Sequence, residues 1–183
     1  MERNFVITTS RLGIRRIALD DWESVQRIWE SQKKSEYAVY DRASDTAPDA
    51  VRERIAKWAS ACESTEHLFF AVCLGETVIG YAALNRRAIG YELGYCFDSE
   101  YHGKGYAAES VKAVLEYARE KYGAARFVAG TAILNVPSVR LLASLGFAQT
   151  GSETLSFHKD AAGQDICFEG GIFELDLSKP SRR

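Results

Sequence analysis

Residues 102–110 read HGKGYAAES. They stand between an apolar run, IGYELGYCF (89–97), and sixteen residues with helical periodicity. In the run, Ile89, Tyr91, Leu93, Tyr95 and Phe97 share one face, and Gly90, Glu92, Gly94 and Cys96 share the other. That is the period of a strand. From Ala107 to Tyr122, an apolar stripe of Ala107, Val111, Val114, Leu115, Ala118 and Tyr122 repeats at helical spacing, with Glu109, Lys112, Glu116, Arg119 and Glu120 elsewhere. Gly123 stands where a helix C-cap belongs. The first N–H groups of a helix have no intrahelical acceptor, and the helix dipole is positive there. Gly103 and Gly105 let the backbone approach an anion without a Cβ in the way, and Lys104 adds a cation. The turn therefore reads as a cradle for a diphosphate.

The rest of the chain supplies a sheet around this unit. Residues 10–19 read as a strand. Asp20 and Asp21 then cap a helix with Trp22, Val25, Ile28 and Trp29 on one face. A second helix starts near Thr46, where Thr46 and Asp49 form a T-x-x-D cap with Pro48 in the first turn. Its apolar face is Val51, Ile55, Trp58 and Cys62. LFFAVCL (68–74) and TVIGYAAL (77–84), separated by Gly75 and Glu76, read as a hairpin. After the 107–122 helix come a strand over 126–133, a short helix over 137–145 ended by Gly146, and two strands over 147–158 and 165–177. Hairpins mixed with a helical crossover predict a three-layer α/β protein. One domain over 1–178 and a solvated tail over 179–183 are expected.

Composition narrows the classes of function. The chain has 183 residues and a net charge of −2, which argues for neither a nucleic-acid nor a membrane-surface partner. No apolar run approaches the roughly 20 residues of a membrane span. The opening MERNFVITTSRL has no apolar signal core, so a cytoplasmic protein is expected. Cys62, Cys73, Cys96 and Cys167 form no CxxC and have no histidine at metal-ligand spacing, so no metal is expected.

Three ligand classes use glycine cradles of this kind. A P-loop lacks its first glycine here, and no Ser or Thr follows the lysine. Gly103 to Ala108 matches G-x-G-x-x-A. However, DSEYH separates the glycines from the strand, and Asn135 follows the next strand where a dinucleotide site needs an acid. The third class binds acyl-coenzyme A. Here TSRLGIRRI (9–17), HGKGYAAE (102–109) and NVPSVRLLASLGF (135–147) lie in order over nearly the whole chain. Together they resemble the GNAT N-acetyltransferase superfamily, in particular its bacterial ribosomal-protein N-terminal acetyltransferase-like branch. The chain departs from the pattern at two places: His102 opens the loop where a Gln or Arg is usual, and Leu142 stands where many members carry a tyrosine acid.

The resemblance implies a GNAT-like three-layer fold, a mixed, mostly antiparallel twisted sheet of about seven strands with four helices. It implies acetyl-CoA as donor and transfer of the acetyl group to a primary amine, either a protein N-terminal α-amine or a small-molecule amine, within a ternary complex. By resemblance, the amides of Gly103, Lys104, Gly105, Tyr106, Ala107 and Ala108 hold the pyrophosphate, with His102 beside them. Asn135 contacts the pantetheine arm, and Ser138 lies near the thioester sulfur and protonates the thiolate. The backbone at Cys96 and Phe97 pairs with pantetheine, and one of its amides polarises the thioester carbonyl. Tyr37, Tyr40 and Asp41 line the acceptor pocket in this reading, or else they pack between two helices. Glu92 is the candidate base; its other reading is a strand glutamate paired with an arginine. Ser138 likewise could only satisfy backbone in a first helical turn. A catalytically inactive acyl-CoA-binding sensor is the alternative function. The apolar final strands would suit a homodimer or simply complete the sheet.

Overall fold

The computed structural model describes residues 4–178, so the expected tail over 179–183 lies outside the described residues. Strands β1 (Ile7–Thr8), β2 (Gly13–Arg16), β3 (His67–Leu74), β4 (Thr77–Arg87), β5 (Gly90–Phe97), β6 (Arg126–Ala132), β7 (Ala148–Lys159) and β8 (Asp165–Asp176) form one sheet. Helices α1 (Trp22–Lys33) and α2 (Pro48–Ala61) precede β3, α3 (Tyr106–Tyr122) links β5 to β6, and α4 (Val136–Ser144) links β6 to β7. The strand order is β1-β2-β3-β4-β5-β6-β8-β7. Every neighbouring pair is antiparallel except β5 with β6, which run parallel because α3 carries the chain across.

The eighth strand, against about seven expected, is the two-residue β1, which folds back on β2. The strand expected over 10–19 shortens to Gly13–Arg16. Its first residues form a turn in which the Leu12 amide donates to Thr9 Oγ1 at 3.0 Å, and residues 19–21 wind into a 3-10 turn. Two expected caps are absent. Asp21 is the N-cap residue of α1, but its carboxylate is taken by Arg15 and by the Ala18 amide. Helix α2 begins at Pro48, and Thr46 instead accepts hydrogen bonds from Gln26 and Lys33.

Sheet alternation builds two cores. On β3, Leu68, Phe70 and Val72 face α3 and α4, while Phe69, Ala71 and Cys73 face α1 and α2, and all six are buried. A central strand covered on both faces reads as a continuous apolar run rather than an alternating one. The α1/α2 side is closed by aromatics: Trp58 stacks on Phe69 with centroids 4.6 Å apart, and Trp29 donates from Nε1 to Tyr81 at 3.0 Å. On β5, Tyr91, Leu93 and Phe97 enter one core and Cys96 the other, as the alternation predicts. Ile89 falls in the preceding turn and is exposed.

Candidate active site

The two parallel strands stay together for only two register pairs, Tyr91 with Phe127 and Glu92 with Val128. Beyond them β6 remains fully paired to β8, while β5 keeps β4 alone. The sheet therefore forks, and residues 93–97 of β5 present a backbone edge that no strand covers, with the Phe97 carbonyl held by His102. A cleft of about 1200 Å³ opens at the fork. It is lined by Leu93 to Phe97 of β5, by Ala129 to Thr131 of β6, by the start of α4 and by the glycine turn before α3.

The turn is built from both sides. Asp98, only 2% exposed, ends β5: its carboxylate accepts from Arg27 at 3.0 Å and from the Glu100 amide at 3.2 Å. This sets the 3-10 turn Ser99–Tyr101, which fills the DSEYH spacer. Gly103 and Gly105 then take left-handed φ values of +71° and +79°, and Gly105 becomes the N-cap of α3. A Cβ on Gly103 would meet nothing within 4 Å, so the loop faces open space. Gly103, Gly105, Tyr106, Ala107 and Ala108 line the cleft with the amino end of a seventeen-residue helix. An extended ligand with a strand-like arm and a diphosphate fits this geometry: the arm has an unpaired strand edge, and the diphosphate has the helix amides.

Sequence reasoning missed the clamp that holds the turn. Glu109 Oε1 accepts from Thr9 Oγ1 at 2.6 Å, from Ser10 Oγ at 3.1 Å and from the Arg11 amide at 3.1 Å, while Oε2 pairs with Arg11 at 2.6 Å. Arg11 also donates to the Lys104 carbonyl at 2.9 Å and lies over the Tyr106 ring. Burial pushes the Glu109 carboxyl up, but the hydrogen bonds from Thr9, Arg11 and Ser10 outweigh it and hold the group below the ordinary range. The pairing spans 98 residues, so no local pattern reveals it.

The expected site residues divide. Cys96, Phe97, His102, Asn135 and Ser138 all line the cleft, as do Tyr37 and Asp41. His102 donates from Nε2 to the Phe97 carbonyl at 2.9 Å, so it braces the strand end. Asn135 caps α4, its Oδ1 accepting from the Ser138 amide at 3.3 Å. Ser138 Oγ lies 2.7 Å from the Tyr95 hydroxyl. Lys104 does not enter the cradle: its Nζ folds back to the Glu100 carbonyl at 2.9 Å and over the Tyr101 ring. Tyr40 packs edge-on against Phe168 and is not in the cleft wall. Glu92 occupies the last paired position before the fork, half-exposed, with its carboxylate on Arg87. The arginine pair is thus the arrangement found. At about 3.3 Å per residue, Glu92 lies roughly 13 Å along the strand from Cys96.

Burial pushes the Cys96 thiol up to about 12, with a hydrogen bond from Gln32 working against it. Desolvation raises the Asp41 carboxyl above its ordinary range, opposed by His158. Asp41 lines the cleft, and His158 donates from Nε2 to its backbone carbonyl at 2.7 Å. Among the described residues, no helix is long and apolar enough to cross a membrane.

Known proteins share this fold. The acetyltransferase (GNAT) domain family matches residues 11–148. An uncharacterised N-acetyltransferase of Bacillus subtilis (strain 168), YnaD, is 28% identical over 145 residues, covering 79% of this chain and 84% of the relative. The ribosomal-protein-S5-alanine acetyltransferase of Vibrio fischeri superposes with a TM-score of 0.79 at 18% identity, over 94% of this chain and 98% of that one. The spermidine N-acetyltransferase of Vibrio cholerae, solved with CoA and spermine, superposes with a TM-score of 0.76 at 18% identity, over 93% and 98%. The superpositions show a shared fold, and the chain belongs to the GNAT acetyltransferase family, an N-acetyltransferase whose acetyl donor is acetyl-CoA.

Proposed function

We propose that the forked cleft acetylates a primary amine by direct transfer, with donor and acceptor bound together. The observation that supports this reading is the continuity of the free β5 edge with the amino end of α3 inside one cleft. Acetyl-CoA supplies the activated acetyl group. Residues 103–108 hold its pyrophosphate through backbone amides, and Asn135 and the β5 edge hold the pantetheine arm. The backbone amide of Phe97, which the register turns away from β4, polarises the thioester carbonyl. Cys96 takes no part as a nucleophile, because a thiol held near 12 is not a thiolate at neutral pH.

The acceptor enters beside Asp41 and Tyr37. An α-amine, with a pKa near ~8, is partly neutral at cell pH, whereas a lysine amine near ~10.4 is not. The first therefore needs only a weak base. Glu92 does not fill that role in this reading, because a base acts within about 3.2 Å or through one water. Glu92→Gln is expected to leave turnover within about twofold, since exposed ion pairs carry little energy. A larger fall in turnover with unchanged acetyl-CoA affinity would restore Glu92 as the base.

Asp41 anchors the acceptor as a cation. A carboxyl raised above its ordinary value is charged only above that raised pKa. The KM for a cationic acceptor should therefore climb as pH falls through it. In Asp41→Asn the KM should be about tenfold higher near neutrality, and this acid limb should be missing. An unchanged KM at both ends of the pH range sinks the anchor.

Thiol release from acetyl-CoA, measured against N-terminal peptides and small polyamines, tests the whole reading. Release stimulated by one amine class supports transfer and identifies the acceptor. Stabilisation by acetyl-CoA without release from any amine would favour the inactive acyl-CoA sensor.

A further inference from the structure

The cleft contains a hydroxyl pair that spans the fork. Tyr95 comes from the free stretch of β5, and Ser138 comes from the first turn of α4. Both line the cleft, and their oxygens are 2.7 Å apart. Ser138 is held at both ends: its amide donates to Asn135 Oδ1 at 3.3 Å, and its hydroxyl meets Tyr95. Tyr95 immediately precedes the Cys96–Phe97 backbone that the proposed function gives to the thioester. Leu142, one turn further along α4, is fully buried in the core and supplies no proton.

Either hydroxyl can donate across this contact. With the more acidic phenol of Tyr95 donating, Ser138 accepts and its own hydrogen is free for the cleft. We propose that Tyr95 is a positioning residue that aims the Ser138 hydroxyl at the sulfur of coenzyme A, so that Ser138 stabilises the charge when the thioester breaks. This rests on the acetyl-CoA reading of the cleft. In the step, the carbon–sulfur bond breaks with its electron pair going to sulfur, and a carbon–nitrogen bond forms. The proton lost by the amine balances the one the released thiol gains. Burial holds the Tyr95 hydroxyl above its ordinary range, with Ser138 opposing, so Tyr95 remains a donor at pH 9.

Binding tests this separately from turnover. Coenzyme A and its desulfo analogue, which lacks the sulfur, are titrated calorimetrically at pH 9, where a share of the coenzyme thiol is already thiolate and available to a hydrogen-bond donor. The wild-type protein should prefer coenzyme A by about tenfold or more, as expected for a hydrogen bond to a charged group. In Tyr95→Phe and in Ser138→Ala the preference should shrink to within twofold. Affinity for the desulfo analogue should not change, and turnover should fall by about tenfold. The double variant should be no worse than Ser138→Ala.

A preserved preference in Tyr95→Phe overturns the inference. So does an equal loss for both ligands, which would make Tyr95 only a wall of the site. A wild-type protein that binds both ligands equally also overturns it, while leaving the coenzyme site standing. Failure of the wild type to bind either ligand would instead remove the acetyl-CoA reading of the cleft.

Discussion

Asp21→Ala is expected to be the most destabilising single substitution considered for this chain, costing about 3–5 kcal/mol. Asp21 is 3% exposed and forms a two-pronged pair with Arg15 at 2.7 and 2.6 Å. One of its oxygens also accepts from the Ala18 amide at 2.8 Å. Arg15 is itself 8% exposed, and its Nε is already buried without a partner. Asp21 raises the Arg15 pKa and burial lowers it, and a guanidinium is basic enough to stay charged at neutral pH even when Asp21 is removed. The variant would leave a buried, uncompensated cation where β2 passes into α1. For a chain of this size, the loss corresponds to a melting temperature lower by roughly 6–20 °C. Replacing both partners, as in Arg15→Met with Asp21→Leu, should recover most of it, because no charge is then stranded. A single-variant loss under about 1 kcal/mol in chemical denaturation would show that water reaches Arg15.

Gly105→Val should have the largest effect on the donor site. Gly105 holds φ at +79° at the N-cap of α3. A β-branched residue resists that conformation, at a cost of at least about 1–2 kcal/mol. Its Cβ would also come within 3.4 Å of the Arg11 guanidinium, which clamps the turn through Glu109 and Lys104. If the loop relaxes, the helix amides lose their common aim. Losing two charge-assisted hydrogen bonds, at about 1.5–3 kcal/mol each, weakens acetyl-CoA binding more than a hundredfold. Lys104→Ala is the informative comparison. The lysine is occupied with the Glu100 carbonyl, so its removal should change affinity by less than about threefold. If the two variants weaken binding equally, the cradle depends on the lysine charge rather than on backbone geometry.

Several elements were legible because their causes are local. The α3 stripe, its Gly123 cap and the Gly75–Glu76 hairpin each depend on residues within a turn or two of one another. The helix caps failed for the opposite reason. Asp21 and Thr46 are good cap residues, yet each found a tertiary partner, Arg15 in one case and Lys33 in the other. Lys104 and Glu92 differ, because their partners are local. Their residue types suited the chemistry, but a carbonyl and an arginine within a few residues took the side chains, and residue type alone does not rank those competitors.

The amino-acid order alone determined the strand–glycine–helix unit, because periodicity and left-handed glycines are properties of short segments. It also named Cys96, Phe97, Asn135 and Ser138, which the fold gathers at one cleft. Only the tertiary structure decided where the sheet forks, since β6 is held by β8, a strand about forty residues away that no local pattern pairs with it. Only the tertiary structure brought Tyr95 against Ser138, and Thr9 to Arg11 against Glu109. Contacts across 43 and 98 residues depend on how the helices and strands pack, and that packing is a property of the folded whole.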